Sequence, residues 1–218
     1  MVRKAIKIAG NTMPGPDQIP YKAWKRLGEL AVTTLHDAIL ELSSSNALEA
    51  LCTAYEIEGD VASHSFNKST LCCLPKKKTG TDGDMGDYYE ASATRPLCIV
   101  NTDNRLIASA ARLVWEPIFN KWVSDIQRGF LKGRSMLGNV IDIDFEAMKI
   151  SLIQKNGALI LFDFKAAFPS ESHEYMFAVL RHIGVPEKAI NLIETLYDKN
   201  KCNIACKGGT FEAPCKSS

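Results

Sequence analysis

Apolar positions recur every three or four residues through much of the chain, and the pattern breaks where the chain must turn. Tyr21, Trp24 and Leu27 fall at helical spacing behind the turn residues Pro14-Gly15-Pro16-Asp17, which predicts a first helix. After Gly28 the stripe Leu35, Ala38, Ile39 and Leu42 predicts a second, ended by Ser43-Ser44-Ser45-Asn46. Asp103 can cap a third, in which Leu106, Ile107, Ala110, Leu113, Val114 and Ile118 keep the period toward Trp122. Ser170 can cap a helix that carries Met176, Phe177, Leu180 and Ile183 and closes at Gly184. Pro186 begins another, with Ile190, Ile193, Leu196 and Tyr197 inward and Lys199 at its C-terminal end.

Two short apolar runs, STLCCLP and RPLCIV, predict a strand pair on either side of a Gly- and Asp-rich loop. The segment CNIACKGGTFEAP predicts a hairpin around Lys207-Gly208-Gly209. In GALILFDFKAAFPS the run Ala158 to Phe162 is too continuous for a surface strand and too short for a membrane span, so it reads as a strand covered on both faces. Asp163 then sits at its C-terminal lip, held rigidly at the edge where sheets expose their sites. The fold class expected from these elements is α+β, with helices packed on a small antiparallel sheet.

Composition narrows the partners. With 218 residues, 46% of them hydrophobic, the chain can bury one large core or two small ones. Lys and Arg number 26 against 25 Asp and Glu, so no global basicity announces a polyanion and any such case rests on local clusters. KWVSDIQRGFLKGRS, Lys121 to Ser135, is one: Lys121, Arg128, Lys132 and Arg134 face a single acid, Asp125. No apolar run reaches the roughly 18 residues of a membrane helix, and MVRKAIKIAG lacks the core of a secretory signal. The seven irregularly spaced cysteines read as reduced thiols. The expectation is an intracellular protein of the nucleus or cytoplasm with no membrane partner.

Three constellations imitate known sites and fail on spacing. GFLKGRS has three residues where a phosphate-binding loop has four between its glycines, and Arg134 where that loop has lysine. Asp82, Asp84 and Asp87 lack the closing acid of a calcium loop. Cys202, Cys206 and Cys215 lack a fourth zinc ligand. Asp163 by itself is open to two readings, a metal ligand or a carboxylate that caps the next turn.

The order of several segments adds to this. PGPDQIP at Pro14 to Pro20, LCCLPKKK followed by RPLCIVNTDNRLIASAARL, QRGFLKGRSMLGN at Gln127 to Asn139, and FDFKAAF occur in that sequence. Taken together they resemble the reverse transcriptases of non-LTR, LINE-type retrotransposons. The first segment is similar to a PGPDGIP motif with Gln18 in place of glycine, and the third to a Q-x-GF-x-x-GRS-x-x-x-N motif. The resemblance covers nearly the whole chain and implies an N-terminal helical segment over 1–60, fingers over 61–150 and a partial palm over 151–218.

The resemblance also implies the chemistry of an RNA-directed DNA polymerase, with an RNA template, a DNA primer and deoxynucleoside triphosphates as partners. Two Mg2+ ions would be bridged by Asp163, with the Phe164 carbonyl as a further ligand. Phe168 would lie against the sugar and exclude a 2′-hydroxyl, unless it is a core aromatic. Arg95 and Lys76 or Lys77 would contact the triphosphate, since guanidinium forks and ammonium charges suit phosphate oxygens. Gln127, Arg128, Lys132 and Arg134 would face nucleic acid.

Two departures qualify these implications. Lys165 comes one place early relative to D-x-x-K-A-F-D, with Pro169 after Phe168, and no paired-aspartate turn of the Y-x-D-D type occurs in the chain. The expectation is therefore a polymerase fragment, inactive at this length. The alternative is a non-catalytic RNA-binding remnant.

Overall fold

The computed structural model describes residues 1–54, 66–84, 86–154, 156–164, 170–198, 200–206 and 209–214. They form two compact units, one of residues 1–110 and 171–218, the other of residues 111–170.

In the larger unit, α1 (Val2–Ile8), α2 (Tyr21–Leu27), α3 (Glu29–Leu42) and α4 (Ala47–Ala54) precede the strand β1 (Ser69–Pro75). A ribbon of β2 (Gly80–Asp82) and β3 (Gly86–Tyr88) leads to β4 (Thr94–Val100), and α5 (Thr102–Trp122) follows at once, its residues from Ala111 on belonging to the smaller unit. The unit resumes with α7 (His173–His182), α8 (Glu187–Tyr197), β5 (Lys201–Cys206) and β6 (Gly209–Pro214). The intervening α6 (Met136–Ile153) belongs to the smaller unit.

The helices expected from the apolar period form where the stripe predicts them. Gly28, at φ 57°, supplies the left-handed turn that separates α2 from α3. Ser43 closes α3, its amide and hydroxyl both donating to the Ile39 carbonyl. Leu35 and Leu42 of α3, Leu106 and Ile107 of α5 and Ile190 and Leu192 of α8 are buried, each gaining roughly 1.5–3 kcal/mol on leaving water. Two helices were not expected: α1, whose buried side is Val2, Ala5 and Ile6, and α4. The cap of α7 is Ser172, accepting from the Tyr175 amide at 3.3 Å, two residues beyond the expected Ser170.

The sheet differs more. Its order is β4-β1-β5-β6; β1 pairs antiparallel with β4 and β5 with β6, but β1 runs parallel to β5. It is a mixed sheet, not an antiparallel one. Parallel neighbours need a long connection, and here it runs from Pro75 to Lys201. Buried polar side chains fix this join. The Asn67 amide donates to the carbonyls of Thr195 at 2.5 Å and Asp198 at 2.7 Å and accepts from Asn104 Nδ2 at 2.9 Å, while Ser69 Oγ donates to the Lys201 carbonyl at 3.2 Å. Buried polar groups of this kind are costly to leave unpaired, so they specify one register, Ser69 opposite Cys202. The Gly- and Asp-rich loop is in fact the β2–β3 ribbon, where Asp82 accepts from the Asp84 amide at 2.9 Å and Lys78 pairs with Asp87 at 2.6 Å. The β5–β6 hairpin forms as expected, although Lys207 and Gly208, like Lys199, lie outside the described residues.

PGPDQIP docks on the β4–α5 junction. A Cβ at Gly15 would lie 2.4 Å from Asn101 Oδ1, so only glycine fits. Asn101 Oδ1 accepts from the Asp17 amide at 3.2 Å, Thr102 Oγ1 donates to the Ile19 carbonyl at 2.8 Å and accepts from Trp24 Nε1 at 2.8 Å. Arg105 reaches back to Thr12 Oγ1 and the Met13 carbonyl and lies over the Tyr21 ring. Asp103 sits inside the first turn of α5 rather than before it, accepting from the Asn104 amide at 2.6 Å, and burial pushes its carboxyl above the ordinary range, with the Asp17 charge adding to the rise.

In the smaller unit, Ser135 caps α6, its hydroxyl accepting from the Leu137 amide at 3.3 Å, and no residue of α6 is buried. Residues 157–164 form neither helix nor strand. The expected buried strand at Ala158 to Phe162 is therefore corrected: Leu159, Ile160, Leu161 and Phe162 are 63 to 89% exposed. A strand needs a neighbour to take up its backbone groups, and among the described residues none pairs with this segment.

Gln18 occupies the left-handed region at φ 59°, a conformation costing a non-glycine residue roughly 1–2 kcal/mol. Gln18→Gly is expected to raise unfolding stability by about 0.5–1 kcal/mol, measured by urea denaturation. A loss of stability would mean that the side-chain hydrogen bond from Gln18 Nε2 to the Gly15 carbonyl outweighs the backbone cost.

Candidate functional site

α5 ends at Trp122 with its last carbonyls free of helical partners, the usual condition of a helix terminus. Arg134 takes up one of them, that of Asn120, and three more from the segment that follows. Its Nη2 donates to the carbonyls of Asn120 at 2.7 Å and Val123 at 2.9 Å, its Nη1 to those of Ser124 and, at 2.8 Å, Gln127, and its Nε to Asn120 Oδ1 at 3.0 Å. A guanidinium has five N–H groups, and these bonds use every one. The side chain is only 13% exposed, with Asp125 at 3.6 Å. Asn120 also donates through Nδ2 to the Lys132 carbonyl at 3.2 Å, tying the loop to the helix a second time.

Arg128 is held in the same way on the other side of the loop. It donates to Asn139 Oδ1 at 3.1 Å and pairs with Asp142 at 2.6 Å. A Cβ at Gly138 would lie 2.9 Å from Arg128 Nη1, so this helical glycine makes room for the guanidinium. Gln127 Nε2 donates to the Gly129 carbonyl at 3.2 Å, and Gly133 turns the chain at φ 81°.

Of the four residues expected to face nucleic acid, Gln127, Arg128 and Arg134 are thus engaged inside the loop, and Lys132 presents an exposed side chain. In Arg134 the five bonds described above occupy every N–H of the guanidinium. Sequence reasoning missed Asn120, the partner of Arg134, and Asn139 and Asp142, the partners of Arg128. The signal available was the Gly-Arg-Ser-x-x-x-Asn spacing, which places Asn139 one turn beyond the cap Ser135.

In the larger unit, Lys76, Lys77 and Arg95 come together at one end of the β1–β4 pair. Arg95 stands opposite Leu74, and the amides of Lys76 and Lys77 donate to the Ala93 carbonyl at 2.9 and 3.5 Å. All three side chains are exposed, and among the described residues none makes an ion pair or hydrogen bond. Such ends of strands, rich in unneutralised cations, attract phosphate.

Asp163 and Phe164 belong to the smaller unit and are exposed. Phe168 lies outside the described residues, as do Lys165 and Pro169. Among the described residues no group of three or more His, Cys, Asp or Glu side chains is placed to hold a metal ion. No helix there is long and apolar enough to cross a membrane.

No family model matches the chain. Over 143 residues, 64% of its length, it is 23% identical to the Transposon TX1 uncharacterized 149 kDa protein of Xenopus laevis. The chain spans 10% of that protein. It is similar, then, to part of a transposon-encoded protein.

If the Arg134 network holds the loop, Arg134→Ala should cost about 2–4 kcal/mol, since several charge-assisted bonds are lost at once. Arg134→Lys should recover less than half of that, because an ammonium has three donors and no fork. Denaturant unfolding of the two variants against the parent measures both, and a near-neutral Arg134→Ala would remove the network.

Proposed function

We propose that the chain is a fingers and partial-palm piece of an RNA-directed DNA polymerase of retrotransposon origin. The observation that carries this reading is the backbone at PGPDQIP. The resembling motif has glycine where this chain has Gln18, and Gln18 is held at φ 59°, a conformation that glycine adopts freely. Further support comes from the docking of PGPDQIP on Asn101 and Thr102, since both segments belong to the ordered set, and from the similarity to a transposon-encoded protein.

Nucleotidyl transfer by two Mg2+ ions needs several anionic oxygens converging on sites about 4 Å apart. The described donor set, Asp163 with the Phe164 carbonyl, does not fit that demand. For the chain by itself the proposed activity is therefore RNA binding, through Lys76, Lys77 and Arg95 of the larger unit. Template, primer and deoxynucleoside triphosphates would be partners of the larger polymerase. That no group of carboxylates converges among the described residues is equally compatible with a second reading, a non-catalytic RNA-binding remnant.

Single-stranded RNA should bind the purified chain with strong salt dependence. Replacing Lys76, Lys77 and Arg95 together by alanine should flatten the slope of log K against log salt by about 2, at roughly 0.7 per phosphate. No primer extension is expected from the chain with Mg2+ present. In a protein that carries this chain within a complete polymerase, Asp163→Asn should abolish extension and leave RNA affinity within about two-fold, because the amide keeps the shape and loses the charge. Extension that survives Asp163→Asn would exclude Asp163 from the metal site. Salt-insensitive RNA binding would exclude the phosphate contacts.

A further inference from the structure

The β2–β3 ribbon continues the β1–β4 pair beyond its cluster of exposed cations. The Lys76 amide donates to the Ala93 carbonyl at 2.9 Å, the Thr79 amide to the Tyr88 carbonyl at 3.2 Å and the Glu90 amide to Thr79 Oγ1 at 3.0 Å, so one hydrogen-bonded ladder runs outward from Pro75. This is the end of β1 remote from its join with β5 at Ser69 to Leu71. Gly80 follows Lys77 by three residues, a span of roughly 10 Å at most. Ribbon and cations lie within reach of one short strand of nucleic acid.

The two faces of the ribbon differ, because side chains alternate along a strand. On one face Thr81 stands opposite Asp87, whose carboxylate accepts from Thr81 Oγ1 at 3.0 Å and pairs with Lys78 at 2.6 Å. On the other, Tyr88 stands opposite Gly80, and Gly86 opposite Asp82. A Cβ at Gly80 would lie 2.7 Å from the Tyr88 ring, so the glycine is what lets the ring lie against the backbone. The ring is still 49% exposed, and its neighbours on that face, Gly80 and Gly86, have no side chain to shield it. Asp82, the carboxylate of that face, is turned onto the Asp84 amide at 2.9 Å.

A half-open ring laid on a strand beside exposed cations combines the two elements that hold single-stranded nucleic acid, a π-face for a base and positive charge for phosphates. We infer that Tyr88 is the stacking platform for an unpaired base of a single-stranded RNA whose phosphates lie on Lys76, Lys77 and Arg95. This rests on the RNA-binding reading above and adds a base contact to it. The contact restricts the partner. A duplex keeps its bases stacked on one another and offers the same surface only phosphates, and because every base has a π-face the site takes any unpaired base.

Fluorescence anisotropy of the whole chain with three ligands of equal length tests this: a single-stranded RNA, an RNA duplex, and a strand of abasic tetrahydrofuran nucleotides. Tyr88→Ala should weaken single-strand binding by about 5- to 150-fold, leave the duplex and the abasic strand within about two-fold, and keep the slope of log K against log salt. Tyr88→Phe and Tyr88→Trp, which keep a ring, should bind single strands as the parent does. Single-strand binding that survives Tyr88→Ala overturns the inference and leaves the phosphate contacts standing. Equal weakening for all three ligands also overturns it, because that is the behaviour of a ribbon that has merely lost a packing ring. A parent with no salt-dependent affinity for RNA overturns both this inference and the reading on which it rests.

Discussion

The carbonyls of Asn120, Val123, Ser124 and Gln127 converge on one guanidinium, that of Arg134. Asn120 lies in the last turn of α5, where a helix leaves carbonyls without partners, and the other three lie in the non-helical segment beyond it. Arg134 meets that demand with all of its donors. The turn then delivers Ser135 to the N-terminus of α6 and Arg128 to Asn139 and Asp142 one turn further on. The smaller unit hangs on this charge. In the larger unit Asn67 plays the corresponding part, joining β1, α5 and the end of α8 through its buried amide.

What the sequence made legible follows from how local each signal is. The stripes of α2, α3 and α5 repeat within one element, so their period survives without knowledge of the rest. The β1–β4 pair has two matching runs close in the chain. The parallel join of β1 to β5 has no such signal, because its partners are Ser69 and Cys202 and the information lies in Asn67 and Ser69, which resemble ordinary loop polar residues. α1 shows three buried residues, too few for a periodic reading.

The candidate site was legible in part. The positive cluster at Lys76, Lys77 and Arg95 is an arrangement of exposed cations, as its composition suggests. Arg134 was not legible as a structural residue, because an arginine between glycine and serine reads equally as a phosphate fork or a carbonyl clamp, and burial decides between them. GALILFDF reads as a buried strand because of its apolar content. Whether such a segment is buried depends on a partner strand, which its own letters do not encode.

The claim on which the account rests is that Arg134 is committed inside the protein. Nitrogen-15 NMR of its guanidinium tests this directly. The account predicts resolved, slowly exchanging Nε–H and Nη–H signals that do not shift when single-stranded RNA is added. Averaged signals from a freely rotating guanidinium, or a shift on adding RNA, would contradict it.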